Sequence, residues 1–323
     1  MIWLTWRQHR IEGLVTLAVL AAGGVFLLMT GLSMANALQD SGVSACLASH
    51  PTDSFTACHD LGTQVLQPYV ALVPFVFAIL IIPILLGALV GAPLLAREYE
   101  QRTNLLVWMQ SVTRARWLTV KLLLILGAGA LVGAALLAML TRWYDPFDQL
   151  VGKFNQVAFD FSGPVLIAST VMALALGIFA GALTRRTVAA IFLTLALIVG
   201  IRILVEFNLR PNYQPQVVVT WSFAQAKALG EGNPPITLGR EDWNLGSGFL
   251  DPQGNRTREI RCTLPGATDP LQCLEQEGYR GNYLAYQPAD RFWTFQWIET
   301  GIYLAISALA IALTVWLVRR RLS

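Results

Sequence analysis

Six stretches of this chain carry no charged side chain: residues 13–39, 61–96, 122–141, 161–184, 187–201 and 300–318. A helix needs about 20 consecutive apolar residues to cross the roughly 30 Å hydrocarbon core of a bilayer. Four of the runs meet that length and the sixth falls one residue short. The fifth is cut by Arg202, after which residues 203–205 continue the apolar pattern. The second run is 36 residues long. At about 1.5 Å per residue it exceeds the core, so Pro74, Pro83 and Pro93 are expected to kink or end it. Composition agrees. Charged residues make up 13% of the 323, hydrophobic ones 55%, and the mean hydropathy is +0.53. Soluble domains carry about 25% charged residues. The expected fold is an all-α polytopic membrane protein with six transmembrane helices. A net charge of +3 gives no case for a nucleic-acid partner.

Basic residues orient the spans. Arg7 and Arg10 precede the first. Arg97, Arg102, Arg114, Arg116 and Lys121 separate the second from the third, Arg185 and Arg186 the fourth from the fifth, and Arg319–Arg321 follow the sixth. The short loops on the other face hold only Arg142 and Lys153. The positive-inside rule therefore places both termini in the cytoplasm of a multi-pass plasma-membrane protein. Arg7, Arg10 and Ala35-Asn36-Ala37 mimic a cleavable signal peptide. The run 13–39 is longer than the 7–15 apolar residues such a peptide uses, so the first helix is read as retained.

Cys46, Cys58, Cys262 and Cys273 all fall in loops assigned to the outside, as disulfides in an oxidising compartment would. Local pairing, Cys46 with Cys58 and Cys262 with Cys273, is expected from among three connectivities. His50 and His59 flank the first pair, but the spacing is not a usual zinc pattern, and no metal is expected. Four domains follow: an interfacial helix over 1–12, spans one to five over 13–206, an extracytoplasmic domain over 207–291, and span six with a basic tail over 292–323. The third of these holds 9 Gly and 8 Pro and reads as loop-rich. A strand is expected at 217–220 and a short helix at 223–229. It is either a stapled cap, a lid over a route or a dock for an outside partner.

Between the second and third runs lies AREYEQRTNLLVWMQSVTRARWLTVK, residues 96–121. Its charges surround Leu105, Leu106, Val107, Trp108 and Met109, the composition of a short amphipathic helix at the interface. A positive-inside anchor would explain the arginines but not Glu98 and Glu100. The order Ala-Arg-Glu-Tyr-Glu-Gln-Arg-Thr-Asn-Leu-Leu, then Gln-Ser-Val-Thr-Arg, then a Lys opening the next run, resembles the permease subunits of type-2 ABC exporters. Glu98, Glu100, Thr103, Leu105, Ser111, Thr113, Arg114 and Lys121 fall on that family's pattern. Arg102 stands where Gly is common and Val112 where Pro is common. The opening Trp3-Leu4-Thr5-Trp6-Arg7-Gln8-His9-Arg10 is similar to a bacterial, largely actinobacterial, branch. The resemblance covers the six-span layout but not residues 207–291.

The resemblance implies that 96–121 is a coupling segment seated on a separate ATPase. Arg97, Glu98, Glu100, Thr103 and Arg114 would engage it, the two glutamates by pairing with basic residues. It also implies two ATPase subunits holding ATP and Mg, a second permease copy in a homodimer, and export. This chain has no Gly-x-x-x-x-Gly-Lys-Ser/Thr and so no phosphate cradle of its own. No cofactor is expected on it.

Arg202, Glu206 and Glu299 lie in or near spans, where ionisable groups are costly and face a bundle interior or a cavity. They are either a structural cluster or the lining of a substrate route. Arg202 and Glu206 are one helical turn apart and are expected to pair. Gly129-x-x-x-Gly133 and Gly177-x-x-x-Gly181 permit close helix contact, within the bundle or at a dimer seam. Two other function classes share parts of this pattern. A membrane sensor or scaffold with an outside ligand domain needs the same topology. An intramembrane enzyme would need a constellation such as His-Glu-x-x-His or Gly-x-Ser-x-Gly, and neither occurs.

Overall fold

A computed structural model describes residues 2–49, 55–101, 113–228, 235–236, 238–259 and 270–320. Among these, six helices are long and apolar enough to cross a membrane: Gly13–Asp40, Val73–Glu100, Arg116–Val151, Val165–Thr184, Thr187–Asn212 and Ala289–Arg320. They are numbered below as spans one to six.

Span four is the axis of the bundle. Its sequence alternates small residues with Leu, Ile and Met, and 15 of its residues are buried. Helices in lipid gain no hydrophobic drive from one another, so small residues that allow close backbone approach select the centre. Spans two, three, five and six all pack on it, and span one packs outside on span three. Residues 2–12, expected as a separate interfacial helix, continue without a break into span one as the helix Ile2–Asp40.

The expected kinks in span two are present, one at each proline. The helix restarts at Val73–Leu80, Ile82–Leu86 and Ala92–Glu100, each with Pro at its first or second position, where the missing N–H costs nothing. A π-helical turn, Gly87–Gly91, joins the last two pieces. An added Cβ at Gly87 would lie 2.5 Å from the Ala173 carbonyl oxygen. One at Gly177 would lie 2.2 Å from that of Gly87, and one at Gly181 2.4 Å from that of Ala92. Gly133 likewise meets Ile167 and Thr170 on span four. Both Gly-x-x-x-Gly pairs therefore pack within the bundle.

Span five departs from α-helical geometry at its end. Thr187–Ile203 is followed by a π-helical turn, Leu204–Leu209, and a 3-10 turn, Arg210–Asn212. The chain then enters the domain read as loop-rich with one strand, in a chain read as all-α. That expectation is corrected: the domain is built on a four-stranded antiparallel sheet, β1 (Val217–Trp221), β2 (Trp243–Leu250), β3 (Arg256–Thr257) and β4 (Gly281–Gln287), in the order β1-β4-β2-β3. The central β4 alternates weakly because both its faces are covered, and its register with β2 slips at Asn244/Gly246. The expected helix after β1 is present as Phe223–Ala228.

The domain is fixed to the spans by hydrogen bonds. The Gln287 amide, fully buried, donates to the carbonyls of Pro211 (3.2 Å) and Gln214 (2.9 Å) and accepts from Arg291 (2.7 Å). Trp243 packs against Phe154 and Phe295.

At the same end, helices Val43–Ser49 and Phe55–Val70 form a hairpin closed by the Cys46–Cys58 disulfide, the first expected pair. Cys273 is also disulfide-bonded, and Cys262 lies outside the described residues. The first bond closes a loop of 12 residues. Cys46→Ser is expected to cost about 2–3 kcal/mol by the loop-entropy estimate. Thermal unfolding of wild type and Cys46→Ser measures this, and coincident curves would contradict it.

Candidate functional site

Two polar regions lie at opposite ends of spans two to six. The first surrounds the connection between spans two and three. Span two ends at Glu100, and the helix of span three begins at Arg114. Residues 102–112, with Thr103, Leu105 and Ser111, lie outside the described residues. Thr113 caps the third helix, its hydroxyl accepting from the Arg116 N–H at 3.4 Å.

The two glutamates of the segment are engaged within the chain. Lys121 donates to Glu98, with side-chain exposures of 5% and 14%. The Lys121 ammonium also lies 4.9 Å from the Trp117 ring. Glu100 reaches across to span five, accepting from the Thr187 N–H at 3.0 Å and its hydroxyl at 2.6 Å. A carboxylate satisfying an orphan N–H at a helix start is favoured by the helix dipole as well. Next to it, Arg185 lies 5.6 Å from the Tyr99 ring. Arg97, Arg116, Arg185, Arg186 and Arg319 are exposed around this end.

The second region is a buried ion cluster. Arg210 has no exposed surface and its guanidinium makes four hydrogen bonds. It donates twice to Glu299 (2.8 and 2.7 Å), once to Asp160 (2.5 Å) and once to the Gln156 carbonyl (3.1 Å). Its plane lies 4.4 Å from the Phe159 ring. Arg202 donates to the other oxygen of Asp160 and lies 2.5 Å from Glu206, the expected pair. That last contact is an ion pair by distance but lacks hydrogen-bond alignment, since Glu206 Oε1 has no hydrogen-bond partner among the described residues. Two guanidiniums thus hold three carboxylates. Such fork-to-fork geometry suits arginine and not lysine.

Neighbouring polar groups fix the cluster in place. Gln296 donates to the Phe159 carbonyl at 2.7 Å, holding the Ala158–Phe161 turn that carries Asp160. Tyr213 donates to Glu299 at 3.3 Å. Burial, then the Glu299 carboxylate, push the Tyr213 phenol above its ordinary range, so it stays a donor.

Arg202, Glu206 and Glu299 are therefore brought together as one cluster. Sequence reasoning missed two of its members, Asp160 and Arg210. Asp160 directly precedes the fourth uncharged run. Arg210 continues a spacing of four from Arg202 and Glu206, but the π-helical turn Leu204–Leu209 intervenes, so helical spacing alone does not place it.

The cluster stands between two spaces. A small cavity of about 20 Å³, lined by Leu80, Pro83, Ser169, Asp160 and Arg202, lies at the break in span two. On the other side, Glu206 borders an open cleft of about 860 Å³ under the sheet, with Trp243, Arg256 and Tyr283 on its walls. No group of three or more His, Cys, Asp or Glu able to hold a metal occurs among the described residues.

A family model described as "ABC-2 membrane transporter related" matches residues 17–210. No curated protein and no solved structure matches the chain. The matched span includes Asp160, Arg202, Glu206 and Arg210, and stops before the sheet.

Proposed function

The chain belongs to the ABC-2 membrane transporter related family and is a multi-pass membrane protein, and from this we propose that it is the permease subunit of an ATP-driven exporter. Two ATPase subunits, carrying ATP and Mg, bind the end that presents Arg97, Arg116 and Arg185. That end faces the cytoplasm, with both termini, and a second copy of this chain completes the route. The family supports a transporter membrane subunit. The exposed arginines at one end support the orientation.

The observation that carries the mechanism is the Glu100–Thr187 contact. It ties the end of the coupling segment to the start of span five. The other end of span five carries Arg202, Glu206 and Arg210. A push on residues 96–121 is thereby delivered along one helix to the ion cluster, which separates the small cavity from the open cleft. Breaking and remaking the Arg202–Asp160 and Arg202–Glu206 pairs joins and parts the two spaces. Arg202, Glu206 and Glu299 are in this reading the constriction of the substrate route. In this reading Glu98 and Glu100 act as positioning residues for the lever, held by Lys121 and Thr187, rather than as the direct ATPase contacts that the resemblance implies.

The test is co-expression with candidate ABC ATPases. Wild type is expected to co-purify with one and to show vanadate-sensitive ATP turnover. Glu98→Ala with Glu100→Ala is expected to retain the complex and to lose coupled turnover roughly ten-fold, the equivalent of about 1.5 kcal/mol for a charged hydrogen bond. Loss of the complex in the double variant would return the glutamates to the interface. Failure of wild type to bind any ATPase would sink the transport reading. A sensor with no transport activity is the alternative, favoured by the open cleft in the sheet domain. Recovery of a signalling partner in place of an ATPase would select it.

A further inference from the structure

The outward-facing surface of spans one and three holds a groove of about 140 Å³ that the transport mechanism does not use. Gly24, Gly31 and Ala35 recess its span-one wall, and Met139 and Trp143 form the opposite wall. The Trp143 indole donates to Thr30 at 3.0 Å, which fixes that wall. The groove is mainly apolar, with charge along the part that lies between Met139 and Gln149. Arg142 and Asp145 stand at its rim, 3.0 Å apart, with side-chain exposures of 75% and 46%. Both follow directly on the uncharged run 122–141, which puts the rim at headgroup depth.

We propose that this groove binds one bilayer glycerophospholipid with a phosphoethanolamine head. Its acyl chain lies along Gly24 and Gly31, its phosphate on Arg142 and its ammonium on Asp145. The rim presents one cation and one anion side by side, the charge pattern of a zwitterionic head. An exposed i,i+3 ion pair contributes little by itself, so opening it to a headgroup costs little. Pro146, also in the lining, selects ethanolamine over choline. It has no N–H, so the Arg142 carbonyl lacks its usual helical donor. That carbonyl and the Asp145 carboxylate are both acceptors. A primary ammonium supplies three N–H donors, and a trimethylammonium supplies none.

The proposal concerns the chain alone and holds whether or not the protein is a transporter. Purified full-length protein in detergent is offered equal amounts of phosphatidylethanolamine and phosphatidylcholine with identical acyl chains, and the retained lipid is read by native mass spectrometry. Wild type is expected to retain one ethanolamine lipid per chain, preferred about ten-fold or more, as one charged hydrogen bond implies. Asp145→Asn is expected to bring the preference to near parity. Gly31→Leu, which fills the recess, is expected to lose both lipids. Melting curves of the variants confirm that they are folded, and Asp251→Asn in the sheet domain serves as the control that leaves retention unchanged. Parity in wild type, or a preference that survives Asp145→Asn, overturns the proposal. So does efficient cross-linking of Leu28→Cys between two copies, which would give the groove to a second chain.

Discussion

Arg210→Met is expected to destabilise the protein by about 3–5 kcal/mol, the usual result of stripping one partner from a buried ion network. The side chain has no exposed surface, nor has Glu299, its bidentate partner. Methionine preserves most of the volume, so the effect isolates charge from packing. What remains is Glu299 facing only Tyr213, and Asp160 relying on Arg202 alone. Arg210→Lys is expected to recover little. A single ammonium cannot span the two oxygens of Glu299, Asp160 and the Gln156 carbonyl. Adding Glu299→Gln to Arg210→Met is expected to recover about half of the loss, because a neutral amide tolerates burial far better than an unpaired carboxylate. The measurement is thermal or denaturant unfolding in a fixed detergent, with membrane yield as a second readout. A melting curve for Arg210→Met that overlays wild type would mean that the cluster contributes little to holding spans five and six together.

The cluster also shows how far the sequence could be read. Each of the six spans was legible because lipid imposes a length and a polarity on every helix that crosses it, and uncharged runs record both. The breaks in span two were legible for the same local reason, since proline acts on its own helix. Arg202–Glu206 followed from helical spacing alone. Asp160 and Arg210 did not, because they meet across the bundle, 50 residues apart in the chain. Their approach depends on a π-helical turn at Leu204–Leu209 that no local propensity announces. The inward use of Glu98 and Glu100 was hidden likewise. A pattern of charges tells that a residue needs a partner, and only the fold tells whether that partner belongs to the same chain. The sheet over 217–287 was visible at β1, a Val-rich run. It was not visible at β2, where Gly246 and Gly248 weaken the alternation on which strands are recognised.

Gly177→Ala is expected to disrupt the bundle, and Gly200→Ala to leave it intact or slightly more stable. Both glycines lie within helices, so both substitutions gain up to about 1 kcal/mol of helix propensity. The difference lies in what the methyl meets. At Gly177 it would stand 2.2 Å from the Gly87 carbonyl oxygen and 2.8 Å from the Ala92 nitrogen, all backbone, with no rotamer able to yield. Spans two and four must separate or span two must rotate at its π-helical turn. Overpacking of this kind costs about 1–3 kcal/mol in a core, and this contact is at the upper end because backbone faces backbone. At Gly200 nothing lies within 4 Å. The same movement would shift Glu98 and Glu100, which ride on the far end of span two, away from Lys121 and Thr187. If the lever reading holds, Gly177→Ala therefore loses coupled ATP turnover even at temperatures where the protein is folded, and Gly200→Ala keeps it. Equal melting temperatures for the two variants would show that spans two and four are not held in this contact. Equal turnover with unequal stability would separate the packing from the coupling.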